Sequence, residues 1–119
     1  MKNKIIKKYI EERPWGHFER FTKNEQTTVK IITVKAGEKL SLQYHEQRNE
    51  FWRILSGKGK ITVGDEITEA KKGDEFHIPI GTKHTAEGSD EEIVFLEIAF
   101  GDSDENDIVR LEDKYGRQN

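Results

Sequence analysis

Alternation with a period of two, rather than 3.6, organises this chain. The segment Thr28 to Lys35 (TVKIITVK) is rich in β-branched residues and predicts a strand, ended by Ala36-Gly37. Lys39 to His45 alternates, with Leu40, Leu42 and Tyr44 on one face and Ser41, Gln43 and His45 on the other. Phe51 to Leu55 predicts a further strand closed by Ser56-Gly57. Lys58 to Val63 and Glu66 to Ala70 flank Gly64-Asp65, which suits a tight hairpin. Phe76 to Ile78 is short and stopped by Pro79 and Gly81. Ile93 to Phe100 is the most apolar run and predicts a central strand. Short strands punctuated by glycine turns indicate an all-β sandwich or barrel. The tail changes period: Asp107 to Lys114, with Ile108, Val109 and Leu111 as its apolar side, predicts a short helix.

Composition narrows the classes. At 119 residues the chain is expected to form one domain, residues 1–119. Only 33% of residues are hydrophobic and 36% are charged, so the core is small and a homodimer is expected to supply part of the burial. The net charge of −3 gives no nucleic-acid footprint. With no Cys there are no disulfides or thiolate ligands, so any metal must bind nitrogen and oxygen. No signal peptide and no membrane-spanning run is visible, and a cytoplasmic location is expected by default.

The chemistry concentrates in two segments. Gln43 and His45 lie two apart on one strand, pointing the same way with Cα atoms roughly 6.5 Å apart. Glu50 opens the next strand, and His84 follows the Pro79-x-Gly81 turn. Two imidazoles, a carboxylate and an amide oxygen make the donor set of one divalent ion. Gly37, His45, Glu50 and Gly57, then Gly73, Pro79, Gly81 and His84, resemble the two motifs of the cupin superfamily. Gln43 stands where that pattern usually has a first His, and Gly88 where it usually has Asn.

The glutamine narrows the resemblance to the cupin domain of type II phosphomannose isomerases, usually the C-terminal part of bifunctional enzymes that also carry mannose-1-phosphate guanylyltransferase activity. Arg13-Pro14-Trp15-Gly16 is similar to that domain's opening signature. Leu40 to His45 with Arg48 and Glu50-Phe51-Trp52 is similar to its middle, and Asp107 to Arg110, Glu112-Asp113 and Tyr115 to Arg117 to its ending. Gln47 and Phe51 stand where the family usually has further histidines.

The resemblance implies a single cupin jelly-roll barrel and the metal set Gln43, His45, Glu50 and His84. Zinc is the foremost candidate, with cobalt, nickel, manganese or magnesium compatible. It implies interconversion of mannose 6-phosphate and fructose 6-phosphate, without nucleotide transfer. Phosphate capture suits arginine, and Arg110 and Arg117 in the tail are favoured for it. Arg48, Lys83 and Trp52 are expected around the substrate. Glu112 heads the candidates for the proton-transferring base, which also include Asp113, Lys83, His77 and Glu97, an acid inside an apolar strand. Two other readings remain open: an Fe(II) oxygenase using His45, Glu50 and His84, and a non-catalytic sugar-binding cupin.

Overall fold

The computed structural model describes residues 8–102, 104 and 106–117. These form nine strands: β1 (Tyr9–Arg13), β2 (Gly16–Arg20), β3 (Thr27–Val34), β4 (Leu42–Tyr44), β5 (Arg48–Val63), β6 (Glu66–Lys71), β7 (Glu75–Ile78), β8 (His84–Gly101) and β9 (Val109–Glu112). All pairings are antiparallel. The all-β jelly roll implied by the sequence is therefore what forms. Among the described residues no helix is long and apolar enough to cross a membrane.

Two long strands organise the barrel. The N-terminal part of β5 and the C-terminal part of β8 pair with each other and with β7 and β3, giving one layer in the order β3-β8-β5-β7. Their remaining halves pair again and recruit β6, β4 and β9, giving a second layer in the order β6-β5-β8-β4-β9. Between the layers lies the main core, built on Trp52, Ile54, Ile61, Ile78, Ile93 and Phe95. The β5–β8 register shifts between Ile54 and Ser56 and again between Gly57 and Gly59. Here both strands turn the corner from one layer to the other.

That corner corrects one expectation. Ser56-Gly57 does not close a strand: β5 continues through it. Gly57 has φ +80°, and a Cβ there would lie 1.9 Å from the Glu92 carbonyl oxygen. Glycine is required because the two backbones touch at a bend, not because the strand ends.

A second correction concerns the tail, where no helix forms over 107–114. Val109 to Glu112 is instead strand β9, paired with Leu42 to Tyr44 of β4. Pairing satisfies the backbone groups of a segment too short to sustain a helix alone.

β1 and β2 form a separate hairpin with a two-residue tip at Pro14-Trp15. Phe21, just past its end, packs on Phe51 with ring centroids 5.4 Å apart.

Candidate metal centre

Three buried side chains meet inside the barrel: His45, Glu50 and His84, at 3%, 1% and 1% exposure. Local structure delivers each one. Glu50 follows the start of β5 and shares its inward parity with Trp52 and Ile54. His84 opens β8 directly after the Pro79-Ile80-Gly81 turn. The Gly81 N–H donates to the His45 carbonyl at 2.8 Å, so this turn also ties the two histidine segments together. The donor atoms of the three residues lie within 4.8 Å of one another, a group able to hold a metal ion.

The hydrogen bonds fix which nitrogen faces inward. His45 Nδ1 is 2.6 Å from the Asp107 carbonyl oxygen and His84 Nδ1 is 2.9 Å from the Thr82 carbonyl oxygen. A carbonyl only accepts, so both Nδ1 atoms carry the proton and both Nε2 atoms present a lone pair. His45 Nε2 is 3.4 Å from Glu50 Oε2, and His84 Nε2 is 3.9 Å from Glu50 Oε1. His84 Nε2 is buried and has no hydrogen-bond partner among the described residues.

Burial lowers the His84 pKa against the opposing pull of the Glu50 carboxylate, which keeps the ring neutral. Burial pushes Glu50 the other way, but its electrostatic interactions with His84, His45 and the Arg48 guanidinium outweigh that and leave Glu50 below the usual carboxylate range. Neutral imidazole and ionised carboxylate are the forms that ligate metals. Lone pairs facing one another in a dry interior repel unless a cation lies between them, so these residues fit a divalent ion.

The surrounding shell is ordered. Trp52 Nε1–H donates to Glu50 Oε1 at 2.9 Å, while its ring stacks on Phe95 and meets His84 edge-on. Arg48 Nε donates to Glu50 Oε2 at 2.8 Å, and its Nη2 approaches His45 Nε2 at 3.2 Å. Glu97 hydrogen-bonds to Glu50, and burial, reinforced by the Glu50 charge, pushes its pKa up to about 8.

Gln43 pairs in register with His84 and lines, with His45, Arg48, Trp52, Glu97 and Arg110, a cavity of about 140 Å³. The Ser41 hydroxyl donates to its Oε1, leaving one of two lone pairs on that oxygen.

Other expected site residues are not brought here. Lys83 pairs with Asp65 at 3.1 Å. Glu112 is exposed and borders a shallow groove with Lys39 and Asp113. Arg117 is exposed and held by Asp113 at 2.8 and 3.1 Å. None of the three lines the cavity. Ile108 and, on β9, Arg110 line the cavity, whereas Glu112 does not, and the chain turns at Lys114-Tyr115. Arg48 is in the cavity, but committed to the donor residues.

Glu97, a candidate base in the sequence as an acid among apolar neighbours, does line the cavity. Sequence reasoning leaves two residues out of the site. Lys30, on β3, also lines the cavity; its signal is its shared parity with Ile32 and Val34. Asp107 has no signal for its role: its carbonyl holds His45, and its carboxylate accepts from the Glu46 and Gln47 amides at 2.9 Å.

Comparison with known proteins gives the chain's family and the fold's relatives. The family described as mannose-6-phosphate isomerase C-terminal matches residues 2–113. The mannose-1-phosphate guanylyltransferase ManC of Salmonella typhimurium is 36% identical over 107 residues, 88% of this chain and 22% of its own length. The chain thus spans under a quarter of the curated relatives it matches. A cupin protein from Bacteroides fragilis is 35% identical with TM-score 0.58, over 63% of this chain and 65% of that one. The capsular polysaccharide assembling protein CapF from Staphylococcus aureus is 27% identical with TM-score 0.63, over 90% of this chain and 35% of that one.

Proposed function

The chain belongs to the mannose-6-phosphate isomerase C-terminal family, and from that premise we propose that it is a metal-dependent aldose–ketose isomerase acting on mannose 6-phosphate and fructose 6-phosphate. One observation carries the reading: the buried lone pair of His84 Nε2, without a hydrogen-bond partner among the described residues, facing the Glu50 carboxylate. In this proposal His45, Glu50 and His84 hold the ion, with the Gln43 amide oxygen as fourth ligand. A bound divalent ion supplies Lewis acidity, stabilising charge on the two sugar oxygens of an enediol.

The chain's own groups do the rest. Trp52 donates to one oxygen of Glu50 and so holds the carboxylate toward the histidines, while Arg48 balances its charge at the other oxygen. The Asp107 and Thr82 carbonyls hold both imidazoles in the ligating tautomer. Trp52 walls the cavity and helps exclude water. Arg110, from β9, lines the same cavity.

A homodimer is part of the proposal. Val29 and Ile31, 55% and 65% exposed on the outer side of β3, supply apolar surface that the small core leaves uncovered; a single monomeric species in sedimentation would remove this part.

A second reading, a sugar-phosphate-binding domain without turnover, draws support from the relatives, which are named guanylyltransferases. One assay separates the two. Turnover of mannose 6-phosphate is measured with and without a chelator, alongside metal content, for the natural chain and His84→Ala. The expected result is about one ion per chain and chelator-sensitive turnover, with His84→Ala losing the ion and at least about 100-fold in rate. Turnover that survives complete metal removal sinks the metal role. Metal-loaded protein that binds but never converts the sugar establishes the second reading.

A further inference from the structure

The cavity beside the donor cluster is small for a sugar. Its volume is about 140 Å³, against roughly 300–1,000 Å³ for sites that enclose small molecules. Leu40 lines it, and the same residue lines two outer grooves of about 410 Å³ each. One groove runs past Tyr115 and Arg117, the other past Glu112, Asp113 and Lys114. Either groove, joined to the cavity, brings the space into the range of a ligand site. The Leu40 backbone is fixed to β8: its N–H donates to the Ala86 carbonyl at 3.0 Å, and its carbonyl accepts from the Thr85 hydroxyl at 2.8 Å. The partition therefore yields through the Leu40 side chain and through the tail that walls both grooves.

The tail is firm at one end and lightly held at the other. At its start Asp107 is anchored by its carbonyl on the His45 ring at 2.6 Å and by its carboxylate on the Glu46 and Gln47 amides at 2.9 Å. Beyond it, β9 is the last strand of its layer, paired with the three-residue β4 across a register shift between Leu42 and Gln43. Exposure rises along the same path: residues 107–110 are half-buried, whereas Leu111, Glu112 and 114–117 are exposed. Arg117 folds back on Asp113 at 2.8 and 3.1 Å, which makes 113–117 one compact turn. Glu38 fastens that turn to the barrel, accepting from Lys114 Nζ at 2.9 Å and from the Tyr115 hydroxyl. Lys114 Nζ also donates to the Gly37 carbonyl at 3.1 Å. These ties lie at the surface, where ion pairs hold weakly and are screened by salt.

We propose that residues 111–117 are a strap, hinged on the anchored inner half of the tail, that moves with the Leu40 side chain to admit the substrate and closes over it through the Glu38 latch. This rests on reading the cavity as the substrate site. The motion leaves His45 undisturbed, because the Asp107 anchor stays in place on the ligand side of the moving part. Arg117, which does not reach the cavity, braces the moving turn.

The chain has no Cys, so Leu42→Cys combined with Glu112→Cys supplies one disulfide that pins the strap. The two residues are Cα partners across β4 and β9, and opposed residues of an antiparallel pair stand about 4.5–5.5 Å apart, within disulfide reach. In the metal-loaded variant, the association rate of mannose 6-phosphate is expected to fall at least about tenfold on oxidation and to recover with a phosphine reductant. Metal content is expected to stay the same, and the natural chain to be indifferent to both treatments. Cobalt(II) uptake by the metal-free variant, read by absorbance, is expected to slow in the same way. Glu38→Ala needs no disulfide: the ester is expected to leave at least about threefold faster, and the amides of 111–117 to exchange faster while those of β5 and β8 do not change. Equal rates for both probes before and after oxidation, once thiol titration shows the disulfide complete, overturn the proposal. So does Glu38→Ala that alters neither ester release nor exchange. Redox-gated sugar binding without turnover would leave the strap standing and remove isomerisation. Redox-gated cobalt uptake by a chain that never binds the ester would leave the strap standing and remove the sugar site.

Discussion

At the scale of single residues, the centre is a balance of lone pairs and cations. His45 Nε2 has one lone pair, and Arg48 Nη2 already points at it from 3.2 Å. A metal and the guanidinium therefore compete for that atom. Arg48→Met is expected to bind a divalent ion more tightly at pH 7, because Glu50 loses its compensating charge, and to be less stable in chelator; titration calorimetry and chemical denaturation read the two effects. Glu97 gives a pH dependence of definite sign. Its folded pKa is about 8 against 4.5 unfolded. Between those values the unfolded chain releases a proton that the folded chain keeps, so stability falls as pH rises. In chelator, denaturation midpoints of the natural chain are expected to decline from pH 5 to pH 8 relative to Glu97→Gln, which retains a donor toward Glu50. A parallel pair of curves would show that Glu97 ionises normally.

The same scale shows what can be seen in the sequence. Gln43 and His45 are legible because spacing of two on a strand already puts two side chains on one face. Glu50 and His84 are legible from motif spacing. Lys30 is not, and Glu97 stands out only as an acid in an apolar strand, because their place opposite one another depends on the β3–β8 register, which pairs residues far apart in the chain. Arg117 is favoured for phosphate because the tail motif carries it, and motif membership says nothing about which side of a rim a side chain falls.

At the scale of elements, the long strands β5 and β8 matter most. Their shared corner is hidden in the sequence because a glycine within a strand and a glycine after one look alike there. The folded chain separates the two cases. Gly57→Ala would press a methyl against the Glu92 carbonyl and force an unfavourable φ. It is expected to cost at least about 3 kcal/mol in a denaturant titration. Gly73 has φ +93°, but a methyl added there would meet no atom within 4 Å beyond its chain neighbours, and the same change is expected to be tolerated far better. Similar losses at both sites would mean that conformation alone, and not the close approach, governs the corner. The tail misleads for a related reason: Ile108, Val109 and Leu111 suit either period, and only β4 alongside decides for a strand.

At the scale of the molecule, a rigid two-layer barrel carries a hairpin that shares no sheet with it. Beyond the Phe21–Phe51 contact, the hairpin is fastened by charge: Lys8 bonds Glu19 and Glu75, and Arg53 bonds the same two carboxylates at 2.9 and 3.0 Å. The Lys8 ammonium is held above its ordinary pKa, chiefly by its hydrogen bonds to Glu19 and Glu75. Arg53→Ala is expected to speed amide exchange in β1 and β2 selectively, leaving β5 and β8 protected, as measured by hydrogen–deuterium exchange. Uniform exchange throughout would indicate that the hairpin and barrel open together.

Asp107 joins these scales. One carbonyl, well over a hundred ångströms along an extended backbone from the first strand, decides which nitrogen of His45 carries a hydrogen. Anyone shortening this chain after the barrel's last long strand, or splicing a reporter into the segment that follows it, would keep every proposed ligand and still unfasten one of them. Purified intact and colourless to most assays of folding, such a trimmed protein should nonetheless leave its ion behind on a desalting column.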